Sequence, residues 1–349
     1  MNASSSNDTS APVNDSGHAT IRDVARVAGV SLGSISNYLS GKAPISESHR
    51  ARIERAIEEL NYIPNSAVRV MRGARNPVLG FIIPDAGNPY FTEVARGIED
   101  VAIASGWVVV TCNTNGEALR EDHYAEVLSQ MRVVGAIVSH QSASAQHLAK
   151  LHTSGAAVVL LGPGGDELFP SVDVDDERGG YLAVRHLLEL GHRDIAFIGG
   201  PGGEAEITAR IRGARLALEE AGIDQPLVRV DAGGNTLAER VRVGERLLEL
   251  RPRPTAVFCA NDLIALAVQS SIVNAGLRVP EDIAVIGYDD IDGASLGLRP
   301  ISTIRQPQYE VGAAAAQLIV EFTQGENVSA ESVRFAPELV VRSSTVYSS

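Results

Sequence analysis

Apolar residues first recur at one-face helical spacing at Ile21, Val24, Ala25 and Ala28, behind Thr20, which with Asp23 three positions on has the makings of a capping box. Gly29 ends that helix, and the four-residue turn AGVS restarts at Ser31, a natural N-cap. In the second helix Ile35 and Leu39 point inward, leaving Leu32, Gly33, Ser36 and Asn37 on a small, polar outward face. Ser46 caps a third helix whose Ile53, Ala56, Ile57 and Leu60 form one stripe, with Arg50, Arg52 and Arg55 on the other side. A three-helix unit with one small core is therefore expected over residues 20 to 63, preceded by a Ser/Asn/Asp/Thr-rich stretch, 1 to 19, that reads as a disordered tail. Tyr62, Ile63 and Pro64 break the third helix, and Asn65 can cap the segment AVRVMRG, which ends at Gly73 and is too short to be helical without something to pack against. Residues 64 to 76 read as a hinge; a plain solvated linker is the other reading.

From Val78 the period changes. Short apolar runs, VLGFII, WVVVT, VVGAIV, AAVVLL, DIAFIG, TAVFC and DIAVIG, alternate with stretches long enough to be crossover helices, such as Phe91 to Ser105 and Tyr181 to Leu190. Continuous apolar runs predict parallel strands buried on both faces, so residues 77 to 349 are expected to form an α/β body of two doubly wound lobes.

Charge divides the chain in the same place. Residues 20 to 75 carry nine Lys/Arg against five acids, a net of +4, while the whole chain stands at −13 and the remainder therefore at −17. A basic helical module on an acidic body fits phosphate contact at one end only. Cys112 and Cys259 form no CxxC pair and read as buried free thiols, suited to a reducing cytoplasm. The tail has no basic and apolar signal pattern, no stretch approaches membrane-spanning length, and the sequons at Asn2, Asn7 and Asn327 read as chance matches.

Motifs that would suggest an enzyme lack their context. Gly29-Val-Ser31-Leu-Gly33 matches GxSxG, but its Ser starts a helix of the basic module instead of following a strand. Gly199, Gly200, Gly202 and Gly203 follow a strand without the GKS or GKT of a phosphate loop and read as a cleft loop. Asp173, Asp175 and Asp176 have Arg178 where a calcium loop needs Gly, and His123, His140, His147, His152, His186 and His192 have no zinc-ligand spacing. No cofactor or metal is expected.

The stretches DVARVAGVS, SISNYLSGK and ELNYIPN, with the following VLG strand, resemble the LacI/GalR (lactose-repressor/galactose-repressor) family of transcription factors, and the likeness extends over residues 20 to 349. The resemblance implies a helix-turn-helix DNA-binding domain, a hinge that enters the minor groove, and a periplasmic-binding-protein-like body that dimerises and holds a small-molecule effector between its lobes. Matching positions imply DNA contact by Thr20, Ser31, Leu32, Gly33, Ser34, Ser36, Asn37, Asn65, Val68 and Met71, with Met71 where the family's wedging residue is usually Leu. They imply effector contact by Asn88, by aromatic walls Tyr90, Phe91 and Phe258, and by Arg210, Asn261, Asp289 and Gln306. Arg212 stands as an alternative to Arg210, and Asn261 and Asp289 have the plainer roles of helix cap and strand end. In that architecture the chain crosses between lobes near Asp173 to Asp175, Ser302 to Gln306 and Phe335, giving lobe one about 77–174 and 305–335 and lobe two about 175–304 and 336–349. One departure matters: sugar-binding relatives often carry an Asp-Arg pair after the fourth strand, where this chain has Gly162-Pro163. A sugar, a purine or another metabolite all stay open as effector.

Two functions compete: a cytoplasmic, nucleoid-associated homodimeric regulator on a near-palindromic double-stranded operator, acting mostly as a repressor, and a sugar-binding protein or carbohydrate-metabolising enzyme with a helical N-terminal segment. Duplex DNA separates them. All DNA affinity should lie in residues 20 to 75, and fluorescence anisotropy between 50 and 200 mM salt should show a loss of about a thousandfold or more, the scale of six to ten phosphate contacts. A body beginning at residue 77 that still bound duplex DNA would sink the assignment.

Overall fold

The computed structural model describes residues 19–40, 44–62, 75–139, 145–163, 169–200, 205–233, 236–297, 299–325 and 332–346. They belong to two compact units, Met1–Asn76 and Pro77–Ser349, each with its own core.

The first unit holds α1 (Ile21–Ala28), α2 (Leu32–Ser40) and α3 (Glu47–Glu59). Thr20 and Asp23 form a reciprocal capping box, and Gly29 closes α1 in the left-handed conformation. Hydrogen bonds from the Thr20 hydroxyl and backbone, with Arg26 alongside, hold the Asp23 carboxyl down to about 2. Ser31 Oγ accepts from the Ser34 amide at 3.1 Å, which starts α2, and Ser46 Oγ accepts from the His49 amide at 3.4 Å, which starts α3. Val24, Ile35 and Ile53, one from each helix, are fully buried together, with Ala25, Ala28 and Ala56 allowing the helices to close on them. The end of α3 comes sooner than a proline break would give. Asn61 takes a left-handed φ of 44°, and the Tyr62 amide turns back to donate to Ile57 O at 2.9 Å, burying the Tyr62 side chain in the core. The segment expected to form the hinge, with Asn65, Val68 and Met71, lies outside the described residues.

The second unit runs β1 (Asn76–Ile83), α4 (Pro89–Ala104), β2 (Val108–Asn113), α5 (Ala118–Met131), β3 (Val133–Ser139), α6 (Ala145–Thr153), β4 (Ala157–Leu161), β5 (Ser171–Val174), α7 (Asp176–Glu189), β6 (Ile195–Gly199), α8 (Ala205–Glu220), β7 (Val228–Asp231), α9 (Leu237–Glu249), β8 (Ala256–Cys259), α10 (Asp262–Asn274), β9 (Ala284–Ile286), α11 (Asp292–Ser295), β10 (Thr303–Arg305), α12 (Gln308–Thr323), β11 (Val333–Phe335) and β12 (Glu338–Val340). One parallel sheet has the order β11-β5-β4-β3-β1-β2 and the other β7-β6-β8-β9. The first strand of each lobe thus lies between the second and third, which puts a topological switch point beside β1 and beside β6. In β1, Leu79, Phe81 and Ile83 join the core under α4 and α12, while Ile82 faces the opposite core with Leu128, the alternation of a strand covered on both sides.

The run WVVVT departs from its expected burial. It forms β2, an edge strand, with Val108 and Val110 substantially exposed, because hydrophobic content alone does not tell an edge from a centre. The short strands β5, β7, β10, β11 and β12 were not legible as runs, since each is three or four residues long and most carry a charge. Three of them lie where the chain passes between lobes: β5 leads into α7, β10 into α12, and β11 into β12, which pairs antiparallel with β10. Arg334 on β11 grips Asp173, its register partner on β5, through three N–H···O contacts of 2.7 to 3.1 Å. Cys112 and Cys259 are both buried and free.

Helices α7 and α8 approach backbone to backbone. A Cβ added at Gly180 would lie 1.9 Å from Arg210 O, and one at Gly213 would lie 1.8 Å from Glu177 O, so only glycine permits this packing. Gly180→Ala or Gly213→Ala is expected to cost about 1–3 kcal/mol or more and to lower the thermal midpoint by several degrees. Gly293→Ala, whose new Cβ would meet nothing closer than 3.7 Å, is the control expected to change little. Equal midpoints for all three proteins would refute the close packing.

Candidate functional site

In the first unit, α2 turns a small polar face to solvent. Ser31, Leu32, Gly33 and Asn37 are exposed and Ser34 and Ser36 half-buried, on a helix whose Ile35 is fully buried. Leu32 leaves 47 % of its surface in water, unusual for an apolar residue with a core one turn away. The hydroxyls of Ser31 and Ser34 lie 2.9 Å apart, and that of Thr20 donates to Asp23, so these three are tied into helix starts. Exposed Arg22, Arg26, Arg50, Arg52 and Arg55 belong to the same unit. A helix whose outer face is mostly small and polar, on a unit that also carries exposed arginines, suits entry into a major groove about 12 Å wide, with guanidinium groups available for phosphates.

In the second unit a cleft of about 320 Å³ opens at the C-terminal ends of both sheets. The switch points supply its walls: Pro84 and Asp85 follow β1, Ser139 ends β3, Gly200 follows β6, and Ala260 and Asn261 follow β8. Arg210 lies at its base. Nε donates to Asp176 Oδ1 at 2.8 Å, Nη1 donates to Ala260 O at 2.6 Å, and the guanidinium stacks 3.6 Å from the centre of the Tyr288 ring. Tyr288 Oη donates to the same Asp176 oxygen at 2.8 Å, so ring, carboxylate and guanidinium fix one another. Arg212, two positions on, points to solvent and pairs with Glu177, so of the two arginines it is Arg210 that faces this cleft.

Asp289 sits opposite, almost fully buried, with a backbone φ of 108° that a non-glycine residue adopts only when its surroundings hold it there. Its amide donates to Ile304 O at 2.9 Å and Gln308 Nε2 donates to its carbonyl at 2.5 Å. Beneath it, Asp262 accepts from Thr303 Oγ1 and from the Ile291 amide, pinning the turn. Burial raises the Asp289 carboxyl to about 6, against the opposing pull of Arg210 and of hydrogen bonds from Asn88 and Gln306. Asn88 Nδ2 donates to Asp289 Oδ2 at 3.3 Å from the other lobe, and Gln306 Nε2 donates to Oδ1 at 2.7 Å from the crossing. Tyr90 and Phe91 stand edge to face, 5.0 Å between centroids, on the wall of lobe one. At the mouth Arg240 of lobe two pairs with Asp85 of lobe one at 2.9 Å.

Of the residues singled out in the sequence, Asn88, Tyr90, Phe91, Arg210, Asn261, Asp289 and Gln306 line this cleft together. Asn261 caps α10, its Oδ1 accepting from the Ile264 amide, and it also borders the cavity. Phe258 does not line it. The pleat of β8 turns its ring into the core of lobe two, fully buried against its register partner Phe197 at 5.2 Å, so the aromatic wall is one-sided. Sequence reasoning missed Asp85, Asp176, Glu206 and Tyr288. Two signals were available: Asp85 follows β1 by the same strand-end rule that selected Asn88, and Glu206 precedes Arg210 by four positions and so shares its helix face.

Known proteins match these two units separately and together. Residues 20–65 match the family profile described as bacterial regulatory proteins, lacI family, and residues 184–345 match the periplasmic binding protein-like domain. The HTH-type transcriptional repressor PurR of Aliivibrio salmonicida (strain LFI1238) is 34 % identical over 328 residues, spanning 93 % of this chain and 98 % of that protein. The lac repressor dimer bound to operator and the anti-inducer ONPF superposes with a TM-score of 0.80 at 27 % identity, covering 94 % of this chain and 99 % of that one. The transcriptional regulator CelR in its cellobiose complex gives 0.70 at 28 % identity, covering 94 % and 100 %. With one relative alike over almost its whole length and the helical unit matched by the family's own profile, the chain belongs to the lacI family of bacterial regulatory proteins.

Proposed function

We propose that this chain is a transcriptional repressor that binds a near-palindromic operator as a homodimer and is controlled by a small polar metabolite, a sugar or a related compound, held between its lobes. The observation that carries the reading is the pairing, in one chain, of an exposed small-residue helix α2 with a cleft whose lining is shared by two lobes. On the DNA side, Asn37 has the amide to read adenine, Leu32 meets a thymine methyl, and Gly33 adds nothing to read with, so direct readout is thin and the hinge residues Asn65, Val68 and Met71 add shape recognition. Thr20, Ser31, Ser34 and Ser36 contribute phosphate and edge contacts. On the effector side, Tyr90 and Phe91 give a ring its apolar face while Arg210, Asn261, Asp289, Asn88 and Gln306 hydrogen-bond its rim. A ligand touching both lobes favours the arrangement that brings them together, and operator affinity changes with that equilibrium.

The ionised Asp289 carboxylate is the acceptor, so protons compete with the ligand. Effector affinity, measured by isothermal titration, should hold above the value of about 6 to which this carboxyl is raised and fall by up to about tenfold per unit as pH drops below it. Asp289→Asn should weaken binding at pH 7.5, flatten that profile and leave operator affinity within about twofold. A wild-type profile that rises on acidification, or an unaltered effector response in the mutant, would remove Asp289 from the site.

Asn37→Arg should shift the preferred base towards guanine at one symmetric pair of operator positions, because arginine bonds guanine O6 and N7 where asparagine bonds adenine N6 and N7, a change of about 1–3 kcal/mol. Selection of operators from one random library for both proteins measures it. An unchanged consensus would mean that Asn37 faces phosphate or solvent.

A further inference from the structure

We infer that Arg342, which lies outside the lining of the cleft, is a positioning residue for it: through Asp290 it holds the turn that aims the Asp289 carboxylate into the cavity. The inference rests on reading the cleft as the effector site. Asp289 and Asp290 both take a positive φ, 108° and 62°, and are the only adjacent non-glycine pair to do so among the described residues. Asn61, Asn115 and Arg132 do so singly, at helix ends and in a turn. Two successive residues in a conformation that side chains disfavour persist only where their surroundings over-determine it. Backbone bonds hold Asp289, whereas Asp290 is held by its side chain. Its Oδ1 accepts from Arg342 Nη2 at 2.6 Å and its Oδ2 from Arg305 Nε at 2.7 Å, so both oxygens are gripped on a carboxylate only 8 % exposed.

Arg342 is itself firmly aimed. Its Nη1 donates to Ile301 O at 2.9 Å, its amide donates to Ser302 Oγ at 2.8 Å, and its carbonyl accepts from that same hydroxyl at 2.9 Å. Two positions on, Ser344 Oγ accepts from the Ser302 amide at 2.7 Å and donates to Val285 O at 2.6 Å, while the Val285 amide donates to Ser344 O at 2.9 Å. The segment after β12 is thereby stitched to β9 on one side and to the residues before β10 on the other. Arg305 lies on β10, and Gln306 beside it donates to Asp289. The two arginines therefore reach Asp290 from the last two passages between lobes, and the turn carrying Asp289 is clamped by the segments that join them. Their shares are unequal. Half of the Arg305 side chain is in water, which weakens its pair, whereas Arg342 is 17 % exposed and its removal leaves a shielded carboxylate unanswered.

Four variants of the full chain decide it. Arg342→Gln removes the charge, Asp290→Asn opens the same pair from its other side, Arg342→Lys restores the charge, and Arg185→Gln, which opens an exposed pair with Glu189 on α7, is the control. Hydrogen exchange read by mass spectrometry needs no ligand. The amides of Asp289 and Ile291, bonded to Ile304 O and to Asp262, should exchange about tenfold faster in Arg342→Gln and in Asp290→Asn, with those of β6 at the wild-type rate. Arg342→Lys should recover most of the protection, and Arg185→Gln should match the wild type. Unchanged exchange at the turn, or a rise spread evenly through lobe two, would overturn the inference. Glucose, ribose, inosine and adenine, screened by thermal shift and measured by isothermal titration, supply a binding arm. A compound that binds should lose about tenfold in Arg342→Gln, yet less than about twofold more when that change is added to Asp289→Asn, because a residue acting through Asp289 then has nothing to act on. Losses that add in full would also overturn it. Binding indifferent to Asp289→Asn would defeat the reading of the cleft alone, and exchange at the turn, which decides unaided if no compound binds, would still judge the clamp.

Discussion

A guanidinium taken out of water must find its counter-charge and its acceptors already in place, and Arg210 finds them at the seam where the chain first passes between lobes. Asp176 lies in the first turn of α7, two residues beyond β5, so the residue that answers Arg210 is also one of the first of lobe two. The close approach of α7 and α8 at Gly180 and Gly213 fixes where Arg210 emerges, and Tyr288 covers the pair with its ring and donates to the same carboxylate. Deleting one partner would leave a buried charge or a buried phenol unanswered, which ordinarily costs several kcal/mol, so the base of the cleft stands or falls as a unit.

Both lobes offer the cleft the same thing for the same reason. A doubly wound parallel sheet separates its loops at the switch point, and two such sheets facing one another bring both sets of loops to one cavity. What differs is the chemistry delivered. Lobe one gives the aromatic pair Tyr90 and Phe91, and lobe two gives Arg210, Asn261, Glu206 and Asp289. The strained backbone at Asp289 belongs to this division, since it holds the carboxylate within reach of Asn88 in the facing lobe.

The fold class was legible because buried parallel strands write themselves as unbroken apolar runs and capped helices as spaced polar residues. VLGFII and VVGAIV lie within central strands, and Thr20, Ser31 and Ser46 each start a helix. The same signal misled at WVVVT, where an edge strand carries the hydrophobicity of a central one, and at Phe258, where an apolar run gives no phase for the pleat. Tyr288 was invisible for a different cause. Its importance comes from neighbours far away in sequence, Asp176 and Arg210, and local pattern holds no record of such pairings.

The unequal sharing of the cleft between lobes separates occupancy from signal. On the reading of the cleft as the effector site, a compound satisfied by Arg210, Glu206 and Asp289 alone would touch one lobe, bind it equally well whether the lobes stood near or apart, and so shift nothing however tightly it was held. Only a molecule that also presented an apolar face to Tyr90 and Phe91 would gain from drawing the lobes together. On that reading silent occupants, such as fragments carrying just the hydroxyl edge, would compete for the chamber without speaking through it, and the chain would answer to the two-faced shape of a metabolite instead of to any one of its groups.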